Sequence, residues 1–444
     1  MLTQSRSFFP FFELLKEGMS KYHFDQLSHE GFFNHLIDQE FHYLTNSETY
    51  LDYAQATVYP ASVLKTHMES LLSANHMVGK NSSGFMRSVV NTKESVLRFF
   101  NAQDYHCCFT KGLEDSLNLA TKLYPFTGLS RALFLADNQN TYQSTAGELQ
   151  EQVQVAHSIL SADYTIDAKY LQREFDKCET QGNLFVMPAQ SSVTGVVHDL
   201  GIIEHANQKN WDVFLDADHL LSTSALDLSK VKPLFVGFSF AKMLGYPADL
   251  GCLLIHKSFL YANAIDEQLA ARECLNGQAI SAVKYGLNFL SEVGVKRVEG
   301  RCKSMIHYLM KHLGKLKHDS GHGVVQWIGT NHLDNGSNTL LIKIRDVAGR
   351  EFKREFIQKR AQNQQLILGL EDHQSYAVKW YLQLVNNALD GSSFMQEASM
   401  HNDMVRQHNE LQHTVRISVG MATRKQDLDA VIAFAESFSN QIAE

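Results

Sequence analysis

The sequence predicts an α/β fold with a mostly parallel central sheet and a smaller C-terminal α+β domain. Three observations carry that prediction. Between residues 105 and 256, short apolar runs rich in β-branched and aromatic residues alternate with helical patterns, as in parallel sheets covered on both faces. Beyond about residue 265 the alternation gives way to longer helices and scattered strands. At 444 residues the chain also exceeds what one hydrophobic core usually serves. The domain reading that follows is an N-terminal helical arm over 1–45, a large α/β domain over 46–265, and a small α+β domain over 266–444 that includes an interdomain helix.

In the arm, Phe24, Leu27, Phe32, Phe33, Leu36 and Phe41 recur at roughly helical spacing, and so short a segment cannot build its own core. It is a candidate to rest on a neighbouring chain or on the site entrance. A helix is predicted over 88–100. Strands are predicted over 105–110, 131–136, 183–188, 211–216, 234–240 and 251–256, with helices over 113–123, 147–160, 170–178 and 199–208. In the small domain the pattern gives helices over 279–290, 298–316, 351–361, 378–389 and 425–438, and strands over 323–327, 339–344, 365–368 and 414–419. The strand ends Thr110, Asp137, Pro188, Asp216 and Ser239 then share one carboxyl edge, where open α/β sheets bind ligands.

Composition narrows the function classes. Hydrophobic residues make up 44% and charged residues 20%, ordinary for a globular enzyme. A formal charge of −8, with basic residues scattered, argues against nucleic-acid binding. No apolar run approaches the length of a membrane span, and the Phe8–Phe12 region is followed at once by acids and a lysine, which suits a signal peptide poorly. Cys107, Cys108, Cys178, Cys252, Cys274 and Cys302 show neither zinc spacing nor a secreted disulfide framework. The expectation is a reduced, cytoplasmic protein.

Two strand ends carry the chemistry. The run from Val236 ends in Ser239-Phe240-Ala241-Lys242, and the run from Trp211 ends in Asp216. A lysine amine and a carboxylate at adjacent strand tips can hold the two ends of one aromatic cofactor, the amine by a Schiff base and the carboxylate at a ring nitrogen. That is the chemistry of pyridoxal phosphate; the plainer alternative is two strands that simply end in polar residues. The turn at Lys111-Gly112, before the helix that opens at Leu113, offers free backbone N–H groups to a phosphate.

The ordered set of Tyr50-Leu51-Asp52-Tyr53-Ala54-Gln55-Ala56-Thr57, Phe109-Thr110-Lys111-Gly112, Asp137-Asn138, Pro188-Ala189-Gln190-Ser191-Ser192-Val193-Thr194-Gly195, Leu215-Asp216-Ala217, Ser239-Phe240-Ala241-Lys242, Gly245-Tyr246-Pro247 and Val415-Arg416-Ile417-Ser418 resembles class V aminotransferases and cysteine desulfurases. Within that family it is most similar to the sulfurase domain of molybdenum cofactor sulfurases. The resemblance runs from about residue 50 to the C-terminus. It implies the fold of type I pyridoxal 5'-phosphate enzymes, a homodimer, and an amino acid as substrate. By the same resemblance Lys242 binds the cofactor aldehyde, Asp216 the pyridine nitrogen, and His219 and Ser239 cofactor oxygens. Gly112 and Leu113 stand at the phosphate, Gln139 at the position stacked over the ring, Ser192 at the ring-oxygen contact, and Arg416 at the substrate α-carboxylate.

The departures from the family pattern are as specific. Glu114 stands near the phosphate loop where Thr is usual, Gln139 replaces an aromatic or His ring, Ser192 replaces Asn, and Ala241 replaces the His before the lysine. Sulfur transfer in the family uses a mobile cysteine late in the chain, and this sequence has none after Cys302. The expectation is therefore a lyase or transferase acting at Cα or Cβ without a persulfide cysteine. The alternatives are an aminotransferase and a fold retained as a binding scaffold.

Overall fold

The computed structural model describes residues 28–44, 48–73, 83–177, 182–265, 277–329, 337–370, 406, 407 and 409–443. Along the chain, β1 is Thr49–Leu51, β2 Tyr105–Thr110, β3 Arg131–Leu135, β4 Gln154–Ser158, β5 Asn183–Pro188 and β6 Trp211–Asp216. Then follow β7 Phe235–Ser239, β8 Gly251–His256, β9 Val325–Ile328, β10 Thr339–Ile344, β11 Leu366–Leu368 and β12 Val415–Ser418.

Seven of these strands form the central sheet in the order β2-β8-β7-β6-β5-β3-β4. Every parallel pair follows from the βα alternation, and β8 alone runs against its neighbours. β3 and β5 are buried at every residue, because helices cover both faces. One core lies on the face that receives the helices Gly277–Val293 and Ser83–Phe99; a second, around Leu117, Phe134, Phe214 and Phe259, lies on the other.

The smaller C-terminal part holds an antiparallel sheet, β12-β10-β9. β1 pairs in parallel with β11, and single bridges tie Asp52 to Ser418 and Gly369 to Arg416. The sequence reading put residues 46–51 at the start of the large domain, whereas the backbone of β1 is hydrogen-bonded into the C-terminal part. A three-residue strand whose partner lies over 300 residues away leaves no local pattern to read.

Two other expectations change. The helical pattern over 147–160 resolves into a helix, Gln143–Gln150, and the strand β4. Gln152 N and Val153 N both return to Leu149 O, closing the helix before the edge strand begins. In the arm, the helix Ser28–Glu40 packs on its own chain. Phe33 and Leu36 are fully buried in the main core, and Ile37 and Phe41 pack with Tyr53 and Ala422. The guanidinium of Arg301 lies 4.6 Å from the Phe33 ring centre. Phe24, Leu27, the helix expected over 378–389, Cys178 and Cys274 lie outside the described residues. Among those described, no helix is long and apolar enough to cross a membrane.

One glycine positions the turn after β2. A Cβ added at Gly251, the first residue of β8, would lie 2.6 Å from Gly112 Cα. The backbones therefore approach as closely as they do because Gly251 has no side chain. Gly251→Ala is expected to destabilise the fold by about 1–3 kcal/mol, as overpacking against rigid backbone does. A lowered denaturant midpoint at unchanged slope would show it; an unchanged midpoint would mean that the turn gives way freely.

Candidate active site

The carboxyl edge of the sheet gathers most of the residues singled out above. β6 ends in Asp216. Its Oδ2 accepts hydrogen bonds from Tyr142 Oη at 2.9 Å and Gln139 Nε2 at 3.2 Å, and its Oδ1 accepts from Asp218 N at 3.0 Å. β7 ends in Ser239, which caps the short helix Phe240–Leu244 that carries Lys242. The Ser239 hydroxyl and N–H both donate to Asp218 Oδ1, at 2.7 and 2.6 Å. Ser239 is thus engaged by the protein itself.

Burial sets the charge states. Burial pushes Asp216 up to about 7, helped by the neighbouring Asp218 carboxylate and opposed by the three hydrogen bonds it accepts. Asp218 is raised for the same leading reason, with the Ser239 hydroxyl and the Lys242 charge pulling the other way. His219 is driven well below its ordinary value by burial, and then by the positive charges of Lys242 and Arg416. A neutral imidazole at this point, within the fields of both cations, can donate or accept a hydrogen bond without adding charge.

Lys242 Nζ donates to the carbonyl oxygens of Ala54 and Gln55, at 2.6 and 2.5 Å. Arg416, on β12, enters from the C-terminal part. Its Nη1 donates to Ser192 O at 3.1 Å and its Nη2 pairs with Asp52 Oδ1 at 2.9 Å. Ser192 thus meets Arg416 through its main chain. Asp137, after β3 on the same edge, is held by His198 Nε2 at 2.9 Å, both side chains being buried.

The phosphate-side expectation rests on the helix Leu113–Leu123. Its first turn is capped by no side chain, and a Cβ added at the preceding Gly112 would meet nothing within 4 Å. Glu114 and Asp115 both lie in that first turn, where carboxylates already favour the helix N-terminus. Each has a donor that turns it to the protein: Ser144 Oγ donates to Glu114 Oε1 at 2.9 Å, and Lys111 N to Asp115 Oδ2 at 3.1 Å.

Three members of this network were not singled out from sequence. Tyr142 and Asp218 sit in otherwise ordinary loop residues, and Asp52 was noted only within a motif. Their roles come from partners 74, 21 and 364 residues distant, which no local pattern shows. The cysteines do not join the site among the described residues. Cys107, Cys108, Cys252 and Cys302 are all buried, and burial pushes the Cys302 thiol up to about 12.

The profile of the aminotransferase class-V family matches residues 49–431, most of the chain. The chain belongs to the class-V aminotransferase family. Pyridoxal 5'-phosphate defines that family, so the chain is a pyridoxal-phosphate-dependent enzyme of fold type I. Among curated relatives, the molybdenum cofactor sulfurase of Arabidopsis thaliana is 24% identical over 365 residues, covering 68% of this chain and 45% of the relative. Molybdenum cofactor sulfurase 3 of Aedes aegypti is 27% identical over 340 residues, covering 65% and 42%. The chain therefore spans less than half the length of these relatives. Among solved structures, the apo cysteine desulfurase from Thermococcus onnurineus NA1 superposes with a TM-score of 0.72 at 14% identity, covering 91% of this chain and 97% of that one. The cysteine desulfurase CsdA from Escherichia coli gives 0.70 at 16% identity, covering 91% and 98%. At such identities the two structures establish the fold.

The residues present fit the family's cofactor. A buried carboxylate whose ionisation is suppressed gains most from a cation placed beside it, and a protonated pyridine nitrogen is one. The Lys242 amine and a helix start at Gly112 that no side chain caps lie on the same edge. The electrostatics give a testable sign. The folded pKa of Asp216 lies above its ordinary 3.8, so the folded, cofactor-free chain binds protons that the unfolded chain releases. Its contribution to stability is present below pH 4 and is lost as pH rises through about 7. In cofactor-free protein, Asp216→Asn should flatten the fall in melting temperature between about pH 4 and 7. Parallel melting curves for variant and wild type would contradict this account of the carboxylate.

Proposed function

We propose that this chain is a lyase or transferase that works at Cα or Cβ of an amino acid without a persulfide-carrying cysteine. The observation that carries the reading is that Lys242 and Arg416 both bear on the buried, neutral His219, three residues after the buried Asp216 that ends β6. Bound pyridoxal phosphate supplies an electron sink for the electron pair left when the α-proton departs. The chain's own groups do the rest. In this reading Lys242 would hold the cofactor, its amine, once displaced by the substrate's own amine, would take the α-proton, and Asp216 would keep a proton on the ring nitrogen. His219 and Ser239 would hold cofactor oxygens, and the N–H groups at Gly112 and Leu113 would hold the phosphate. Gln139 covers the ring while donating to Asp216, and Ser192 lends its carbonyl to Arg416. Arg416 takes the α-carboxylate, a task suited to a planar fork of N–H donors.

The cysteines support the exclusion of a persulfide route. Those described are buried, and thiols of raised pKa make poor nucleophiles. The names of the relatives point to sulfur transfer, and a persulfide route would show as a reaction of L-cysteine that the wild type carries out and a cysteine-free variant loses.

Purified protein should absorb in the range of roughly 410–430 nm, and borohydride should fix the cofactor to the chain. Lys242→Ala should lose both properties; a variant that keeps the band and the borohydride adduct would remove Lys242 from this role. Arg416→Gln should lower kcat/KM for a carboxylated substrate by about two orders of magnitude, if about 3 kcal/mol of charged hydrogen bonding is lost. An unchanged kcat/KM would refute the clamp.

A further inference from the structure

The arginine of β12 and the turn that holds Lys242 form one hydrogen-bonded unit, and Asp52 is the link. Through its side chain, Asp52 pairs with Arg416 Nη2 at 2.9 Å, the two side chains being 10% and 5% exposed. Through its main chain, Asp52 O accepts from Gln55 N at 2.9 Å and Ala56 N at 3.3 Å, so Asp52 opens the turn formed by residues 52–56. The carbonyls of that turn, Ala54 O and Gln55 O, hold Lys242 Nζ. Ala54 N in turn donates to Ser418 Oγ at 2.8 Å, two residues beyond Arg416 on the same strand.

The space around the pair is shaped for it. Gly369 exchanges main-chain hydrogen bonds with Arg416 at 3.0 and 2.8 Å. A Cβ added at Gly369 would lie 2.8 Å from Arg416 Nε and 3.0 Å from Asp52 Oδ1. One guanidinium in a dry site therefore already has a carboxylate partner, and a ligand carboxylate brought to the same fork meets the negative charge of Asp52.

We propose that Asp52 competes with the substrate carboxylate for Arg416, so that a ligand reaching the arginine also loosens the turn that holds Lys242. The proposal rests on the clamp role given to Arg416 above. Asp52 acts as a positioning residue: it sets the threshold for carboxylate binding and, in the cofactor-free chain, couples arrival of the ligand to release of the Lys242 amine. The coupling has the form of a pre-existing closed state that the right ligand must displace, which lowers apparent affinity by the fraction of time the arginine is open.

The test compares L-alanine with L-alaninamide, which lacks the carboxylate, binding to holoenzyme followed by absorbance. Asp52→Asn keeps the size and an acceptor for Arg416 and removes the charge. It should tighten L-alanine by at least about tenfold and leave L-alaninamide unchanged. In cofactor-free chain, the same variant should speed reductive methylation of Lys242 by formaldehyde with cyanoborohydride as hydride donor, a readout independent of activity. Gly369→Ala, which presses the pair apart with both charges kept, should shift L-alanine in the same direction and serves if Asp52→Asn folds poorly. L-alanine affinity that is unchanged or weaker in the folded variants, or a change shared equally by the amide, overturns the competition. Arg416→Gln separates the two readings. If it erases the preference for alanine over the amide while Asp52→Asn changes nothing, only the competition fails. If it leaves that preference intact, the clamp fails first and the competition with it.

Discussion

Arg416 brings a permanent positive charge into a nearly dry junction, and the junction is built around the need to pair it. The guanidinium reaches Asp52 at the end of β1 and the carbonyl of Ser192 in a loop of the large sheet, while its main chain bridges to Gly369 after β11. One residue thus ties β12, the end of β1 and the segment after β11 to the edge of the larger sheet, through its side chain and its main chain together. Removing one partner of such a buried pair typically costs about 3–5 kcal/mol, because the other charge is left uncompensated. The short strands β1 and β11, three residues each, have little else to fix their register. The ion pair and the bridges beside it supply what strand length does not.

Charge balance governs the carboxyl edge in the same way. Asp216 and Asp218 are close, buried and mutually repelling, and the hydrogen bonds from Tyr142, Gln139 and Ser239 hold them in place without neutralising them. Lys242 stands near enough to lower Asp218, and it joins Arg416 in keeping His219 neutral. The edge is thus poised to accept a further positive group over Asp216 and a further negative group near the two cations. A molecule carrying a cationic ring nitrogen and an anionic substituent matches that distribution.

How much of this was legible in the sequence depends on range. β2, β5, β6, β8 and β10 match the expected strands to the residue, since each is an apolar run of six residues bounded by polar or turn positions. β4 was read as helix because Gln154-Val155-Ala156-His157-Ser158 holds a single β-branched residue and sits at the sheet edge, where one neighbour suffices. Lys242, Asp216 and Arg416 were legible because they end or occupy strong strand patterns. Tyr142 was not, since nothing in Asn140-Thr141-Tyr142 announces a hydrogen bond to a strand 74 residues on. Asp52 was visible as a motif residue, but its partner became evident only when the two sheets met.

The departures at Gln139 and Glu114 bear on whether the site is in use, and energetics decides between the readings. Gln139 has given up a stacking ring, yet its amide donates to the Asp216 carboxylate and so serves the charge at the base of the pocket. Glu114 is drawn aside by Ser144. A fold kept only as a scaffold would be served as well, and often better, by apolar residues in place of buried ions, since desolvation of such groups is seldom repaid by their pairing. Asp216, Asp218 and Arg416 instead remain buried at 2%, 3% and 4% exposure. Buried carboxyls of this density at a ligand-binding edge have a stability cost that an incoming cationic group would offset, which is the physical argument for a working pocket over a vestigial one.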